Sequence, residues 1–296
     1  MRSLSTLRAN VALWIVLVLA LLAVNGKPGW ASVIDWTIDF QPSQLTISGH
    51  GVATGFGNTV LPLSQQGVGA LETHYTGSIS SIVQEGITPT IQILSANAVA
   101  ANNGTWAPTA TLTAGSAPAN YATTTSVSGS TSNGAIRDLS LSIGTSGARA
   151  LSSNPFLGPG TASFSDSSAS ASALSGRIDT LGTGLLANFN GAPSLAGLTA
   201  TTASISGGTI TNDGTTLTMD LPITMNFNSP VYGVGTPSTL DDVTFVGQLT
   251  GTLVAHAHFD AQPVSVVPEP DTIIIWSVLA LAAVGVRWLH RTKIAA

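Results

Sequence analysis

Leu217, Met219, Leu221, Ile223, Met225 and Phe227 take every second position of one stretch, with Thr218, Asp220, Pro222, Thr224 and Asn226 between them. A period of two over that length does not suit a helix, whose one-face residues recur every three to four positions. It fits a strand with one apolar and one polar face. The pattern recurs along the chain. Ile34, Trp36, Ile38 and Phe40 alternate with Asp35, Thr37 and Asp39. Leu45 and Ile47 open a second strand, which Gly49, Gly51, Gly55 and Gly57 are expected to end. Leu71, Thr73, Tyr75, Gly77 and Ile79 mark a third, Ile91 and Ile93 a fourth, and Leu139, Leu141 and Ile143 one in the middle. Val243, Phe245, Leu249, Leu253, Ala257 and Phe259 line a long last strand, with Gly247 and Gly251 expected as bends. No segment between the termini has a period of 3.6.

Turn chemistry agrees with the strands. Asn212-Asp213-Gly214 is a hairpin signal, with glycine where positive φ is needed. Pro222 lacks a ladder donor, so its strand is expected to be a sheet edge or to be bulged at that point. Between Asn102 and Ser175 the pattern thins into Ala, Ser, Thr and Gly, which predicts loops or weakly specified strands. The expected fold is all-β, a single β-sandwich or jelly-roll-like body.

Charged residues make up only 8% of the chain, so Ser, Thr, Asn, Gly and Gln must cover most of the surface. Lys and Arg lie mostly near the two ends and the net charge is −5, which excludes the basic footprint that nucleic acid requires. Cysteine is absent, so the body depends on its apolar core rather than on disulfides.

Both ends are apolar. Arg2 and Arg8 precede the run Val11 to Val24, and Gly29-Trp30-Ala31 forms a small-x-small site before Ser32. This order is that of a secretory signal peptide over residues 1–31, cleaved between Ala31 and Ser32 by signal peptidase. At the other end, Val267-Pro268-Glu269-Pro270-Asp271-Thr272 leads into the uncharged run Ile273 to Val286, then Arg287-Trp288-Leu289-His290-Arg291-Thr292-Lys293. As a helix that run would cover roughly 21 Å, short for a bilayer core of about 30 Å. Trp288 and Leu289 extend the expected transmembrane helix to 273–289 while Arg287 snorkels. Arg287, Arg291 and Lys293 place the C-terminus in the cytoplasm and the body outside it. Pro270 keeps Glu269 extended and accessible.

Motif, apolar span and basic cluster in this order resemble the PEP-CTERM sorting tail of exported bacterial proteins, here over residues 265–296 with the body at 32–264. Pro268, Glu269 and Pro270 match the recognition triplet, Val267 precedes it and Thr272 matches the frequent hydroxyl two places on; Asp271 stands where the common form has a small residue. The resemblance implies processing by exosortase. It further implies an inner-membrane intermediate held by the C-terminal helix, then residence at the cell surface or in the extracellular polysaccharide of a Gram-negative bacterium.

Catalytic patterns are sparse. Glu72, Glu85, Asp138, Asp166, Asp179 and Asp220 are scattered singly, and Asp241 and Asp242 would face opposite sides of a strand, whereas glycoside hydrolysis needs two facing carboxylates. Ser146 lacks the spacing of a nucleophile elbow. His256, His258 and Asp260 would share one strand face, a weak metal row, set against the default of a solvated sheet face. Tyr75, Trp106, Tyr121 and Tyr232 are candidates for stacking on sugars, set against the commoner use of aromatics in packing. No motif implies a cofactor. The expectation is an exported surface or matrix protein with a structural or adhesive role and no catalysis; a lectin-like glycan-binding module is the alternative and an exported polysaccharide hydrolase the third.

Overall fold

A computed structural model describes residues 31–53, 57–86, 88–101, 118–189, 191–232 and 242–258. Among them the chain is all-β, with thirteen strands joined in one antiparallel sheet. Its long strands are β1 (Ala31–Ile38), β2 (Gln44–Ala53), β5 (Glu72–Gln84), β6 (Thr90–Ala100), β8 (Ser130–Gly144), β10 (Gly160–Gly182), β11 (Thr202–Asn212), β12 (Thr216–Tyr232) and β13 (Asp242–His258). The short ones are β3 (Thr59–Pro62), β4 (Ser64–Gln65), β7 (Tyr121–Val127) and β9 (Arg149–Ala150).

The pairings form a ring. β5 pairs with β6, then β6 with β8, β8 with β10, β10 with β11, β11 with β12, β12 with β13, and β13 with β1, which returns to β5. Successive long strands are therefore neighbours throughout, and the sheet closes on itself as a meander around one apolar interior. The opposed walls give the sandwich-like layering expected, while Greek-key crossings of the jelly-roll kind are not among the pairings of the described residues. Closure removes the free edges that an open sheet would present.

β1 and β2 form one long strand. Both run antiparallel to β13 and to β5, with Ile38 opposite Ala255 and Gln44 opposite Thr252. The five residues between them bulge out, which is why Phe40 lies outside the strand that its alternation predicted and stays exposed. Ser43 restores the ladder at the break. Its hydroxyl donates to Val254 O (3.0 Å) and accepts from Val254 N–H (2.9 Å), and its carbonyl accepts from Tyr75 N–H (2.9 Å).

The glycines of β2 and β13 are part of this seam. β2 runs through Gly49 and Gly51 to Ala53, so these two glycines do not end the strand as expected, and β13 continues through Gly247 and Gly251. A Cβ on Gly251 would overlap Gln44 O and the Leu45 backbone, so the two strands approach there as only glycine allows.

Inward positions carry the core. Trp36, Ile38, Leu45, Tyr75, Ile79, Ile91, Ile93, Leu141 and Ile143 are buried, as are all six alternating apolar residues of β12. Thr218, Asp220, Thr224, Asn226, Gln248, Thr250 and His256 face out. This is the reverse of a lipid-spanning barrel, whose outer face is apolar. Among the described residues no helix is long and apolar enough to cross a membrane.

Two expectations are corrected. β12 is an interior strand, and Pro222 is accommodated by a bulge in its neighbour: Ile205 pairs with Ile223 and Thr209 with Asp220, leaving Ser206-Gly207-Gly208 looped out opposite the proline. The stretch expected to hold loops or weakly specified strands contains β8, which includes the strand read at Leu139, Leu141 and Ile143, and β10, which at 23 residues is far longer than a weakly specified strand. β10 alternates Ala with Ser (Ala169, Ala171 and Ala173 buried), and small inward residues suit a barrel whose opposite wall carries Leu, Met and Phe.

Candidate functional site

An apolar cavity of about 180 Å³ lies inside one end of the barrel, its lining including Ile47, Leu63, Leu141, Ile178, Leu195 and Phe227. Leu186, from the 3-10 turn Gly184–Phe189, lines it too and packs with Ala53 and Leu61. Close-packed interiors leave few voids larger than a water molecule.

The cavity exists because the barrel changes neighbours at this end. β6 pairs with β8 only over Ala96–Val99 and Ser140–Ile143; below that β7 takes the same edge, from Tyr121 opposite Ile136 to Val127 opposite Ser130. β4 pairs with β7 and β3 with β2, so the ring is completed there by a second set of strands. Asp138, at φ 54°, marks a bulge in β8 at the changeover. It switches the inward set from Ser132, Gly134 and Ile136 to Leu139, Leu141 and Ile143. Asn120, fully buried, fills the gap: its Nδ2 donates to Ala101 O (2.6 Å) and its Oδ1 accepts from Leu139 N–H (2.9 Å).

Polar groups in the lining are few. Tyr121 OH donates to Leu45 O (3.2 Å) and so accepts from Tyr75 OH (2.9 Å), a chain that uses both phenolic protons. Burial raises both phenols well above their ordinary pKa, so the pair is neutral at physiological pH. Thr123 Oγ1 donates to Ser64 O (2.9 Å). Thr125 differs: its Oγ1 is buried with no hydrogen-bond partner. Ser132, which also lines the cavity, stands directly opposite it across β7–β8. Among the described residues the lining contains no carboxylate, imidazole, ammonium or guanidinium.

The body's three arginines are held elsewhere on the wall. Arg137 and Arg177 face each other across β8–β10. Asp179 accepts from both, Oδ2 from Arg137 Nε (2.6 Å) and Oδ1 from Arg177 Nε (3.1 Å), and Asp138 takes Arg177 Nη1 (2.9 Å). Arg149 pairs with Asp166 (2.8 Å). Burial alone would raise the Asp166 carboxyl; amide donors from Ser146 and Ser168, with the Arg149 charge, more than offset it and hold it below the usual carboxylate range. These acids are thus structural ion-pair and loop-tying groups, and Ser146 is one of the donors that Asp166 binds.

Of the residues singled out in the sequence, Ala31 and Ser32 open β1, opposite Gln84 and Val83. His256 and His258 do face outward, but His256 Nδ1 is bonded to Asp39 Oδ1 (2.7 Å), a partner from the β1–β2 bulge that strand periodicity did not reveal. Asp260 lies outside the described residues, and among those described no group of three or more His, Asp or Glu could hold a metal. Tyr75 and Tyr121 are core residues, not exposed stacking platforms. Trp106 lies outside the described residues. So do Val267, Pro268, Glu269, Pro270, Thr272, the span 273–289 and Arg287, Arg291 and Lys293. Sequence reading missed Thr125 and Ser132 because hydroxyls in an Ala/Ser/Thr stretch have little contrast with their neighbours. The one usable signal was the Thr123-Thr124-Thr125 run, which is β-prone.

No family model, no curated protein and no solved structure matches this chain.

Proposed function

We propose that the protein is an exported surface or extracellular-matrix component, sorted by exosortase, whose β body serves a structural or adhesive role without catalysis. The signal peptide of residues 1–31 and the tail of residues 265–296 are read as removable helices flanking a sandwich-like barrel. Signal peptidase and exosortase are the processing partners, with the membrane holding the tail before the second cut. The observation carrying this reading is the outer wall. Thr161 and Thr211 (3.1 Å), Asn226 and Thr202 (2.8 Å), and Gln248 and Asn226 (2.9 Å) are bonded side chain to side chain across four strands, an uncharged hydroxyl and amide lattice. Such a surface can exchange hydrogen bonds with extracellular polysaccharide without needing counter-charges.

The lectin-like alternative loses two of its four aromatic candidates to the core, leaving Trp106 and Tyr232. The hydrolase reading needs two free facing acids, whereas Asp138, Asp166 and Asp179 are all ion-paired with arginine.

Fractionation of the native host tests the proposal. The protein is expected in the surface or matrix fraction and is expected to be released when the polysaccharide is depolymerised. Recovery only as a free periplasmic protein, unchanged by depolymerisation, contradicts it.

A further inference from the structure

We infer that the outer wall over β2, β13, β12 and β11 is a docking surface for an uncharged polysaccharide, and that acidic polysaccharides bearing carboxylate, sulfate or phosphate groups are excluded from it. The inference rests on the outer-wall role proposed above and narrows its partner.

Register lines up polar side chains across the four strands. Ser48, Gln248, Asn226 and Thr202 are successive cross-strand partners. Gln248 Nε2 donates to Asn226 Oδ1 (2.9 Å) and Asn226 Nδ2 donates to Thr202 Oγ1 (2.8 Å), which holds the two amides in place. An amide carries two donor hydrogens and two acceptor lone pairs, so both keep hydrogen-bonding capacity beyond these bonds. Two residues away on β13 and β12, Thr250 and Thr224 stand opposite each other with their hydroxyls 3.4 Å apart. Four strands make a row about 14 Å long, longer than a single sugar ring, so an oligomer engages it.

Charge decides which polymer fits. Residues 32–264 carry twelve Asp and Glu against three Arg and no Lys. Arg137, Arg149 and Arg177 lie on β8, β9 and β10, and each is already bound to a carboxylate. Glu72, exposed and opposite Thr46 of β2, adds a carboxylate beside the rows. A polyanion would therefore meet a body of its own sign and no uncommitted guanidinium, whereas a neutral polyol needs no counter-charge. The two rows hold no aromatic side chain, so the contact is made by hydrogen bonds that are individually weak and repeated along the polymer.

The test uses the mature protein isolated from its host and the host's extracellular polysaccharide, separated by anion exchange into neutral and acidic pools. Binding to each immobilised pool is read at low and at high salt. The protein is expected to bind the neutral pool alone, equally at both salt concentrations. Gln248→Ala with Thr250→Ala is expected to weaken that binding roughly 3- to 10-fold while leaving the unfolding midpoint in place. Ser48→Ala with Thr202→Ala, at the two ends of the first row, does the same if the first pair does not fold. Binding to the acidic pool, or binding that high salt removes, overturns the inference and leaves the outer-wall role standing. Neutral binding unaffected by either pair overturns the placement on these rows. Binding to neither pool overturns the outer-wall role together with the inference.

Discussion

Replacing Trp36 by alanine is expected to lower the unfolding free energy by about 4 kcal/mol, the cost of deleting a large aromatic from a closed core. Trp36 is 1% exposed and lies on the inward face of β1, opposite Ile79 of β5. Its Nε1 donates to Ser81 Oγ (2.9 Å), and Ser81 is itself fully buried. Truncation therefore leaves a cavity and removes the donor to a buried hydroxyl, two effects of the same sign. β1 is also the strand through which β13 returns to β5, so the loss falls on the closing seam of the ring. The control is Val33→Ala on the outward face of the same strand, where the side chain is 64% exposed and a change within about 0.5 kcal/mol is expected. Urea titration of both variants decides the matter. Equal midpoints would mean that the alternation of β1 does not separate inside from outside.

Asp179→Ala is expected to cost about 3–5 kcal/mol, through the charge it leaves behind rather than the bond it removes. Arg137 and Arg177 are directly opposed across β8–β10, and Asp179 is the acceptor they share. The Arg137 and Asp179 side chains are each 3% exposed, so water cannot take the place of the carboxylate. Arg177, with a 28% exposed side chain, keeps its pairing with Asp138. Arg137→Met combined with Asp179→Leu removes both charges and should be far milder than Asp179→Ala alone, near neutral if the pair packs well. A double-mutant cycle by thermal or urea unfolding measures the difference. If the double variant is as damaged as the single one, the damage comes from lost packing and not from a buried guanidinium deprived of its carboxylate.

How much of this was legible in the sequence follows from contrast. β12 and β13 were plain because Leu, Met, Ile and Phe alternate with Thr, Asp and Asn, and the hairpin at Asn212-Asp213-Gly214 joins β11 to β12 as expected. β8 was legible only over Leu139, Leu141 and Ile143, and β10 was not singled out, because the inward residues of β10 over 169–173 are Ala, close in hydropathy to their outward Ser neighbours. The bulges at Asp138 and over Leu174–Gly176 then shift the inward set by one residue, which defeats a fixed period. Closure was beyond reach for another reason: pairing β13 with β1 and β2 links residues roughly 200 positions apart, a separation across which no local pattern encodes register. The cavity follows from the exchange of β6 for β7 along β8, so it too is a property of the topology. The proposed sorting tail is the opposite case: it rests on motif order alone, lies outside the described residues, and bears on destination rather than on the barrel.

The most direct test of the proposed function is the intact mass of the protein recovered from its native host, with Pro268-Glu269-Pro270 present and with all three replaced by alanine. The account predicts loss of residues 1–31 and of the tail following the motif in the parent, and a retained tail in the replacement. A C-terminus of full length in both would contradict it and leave residues 265–296 as a simple anchor.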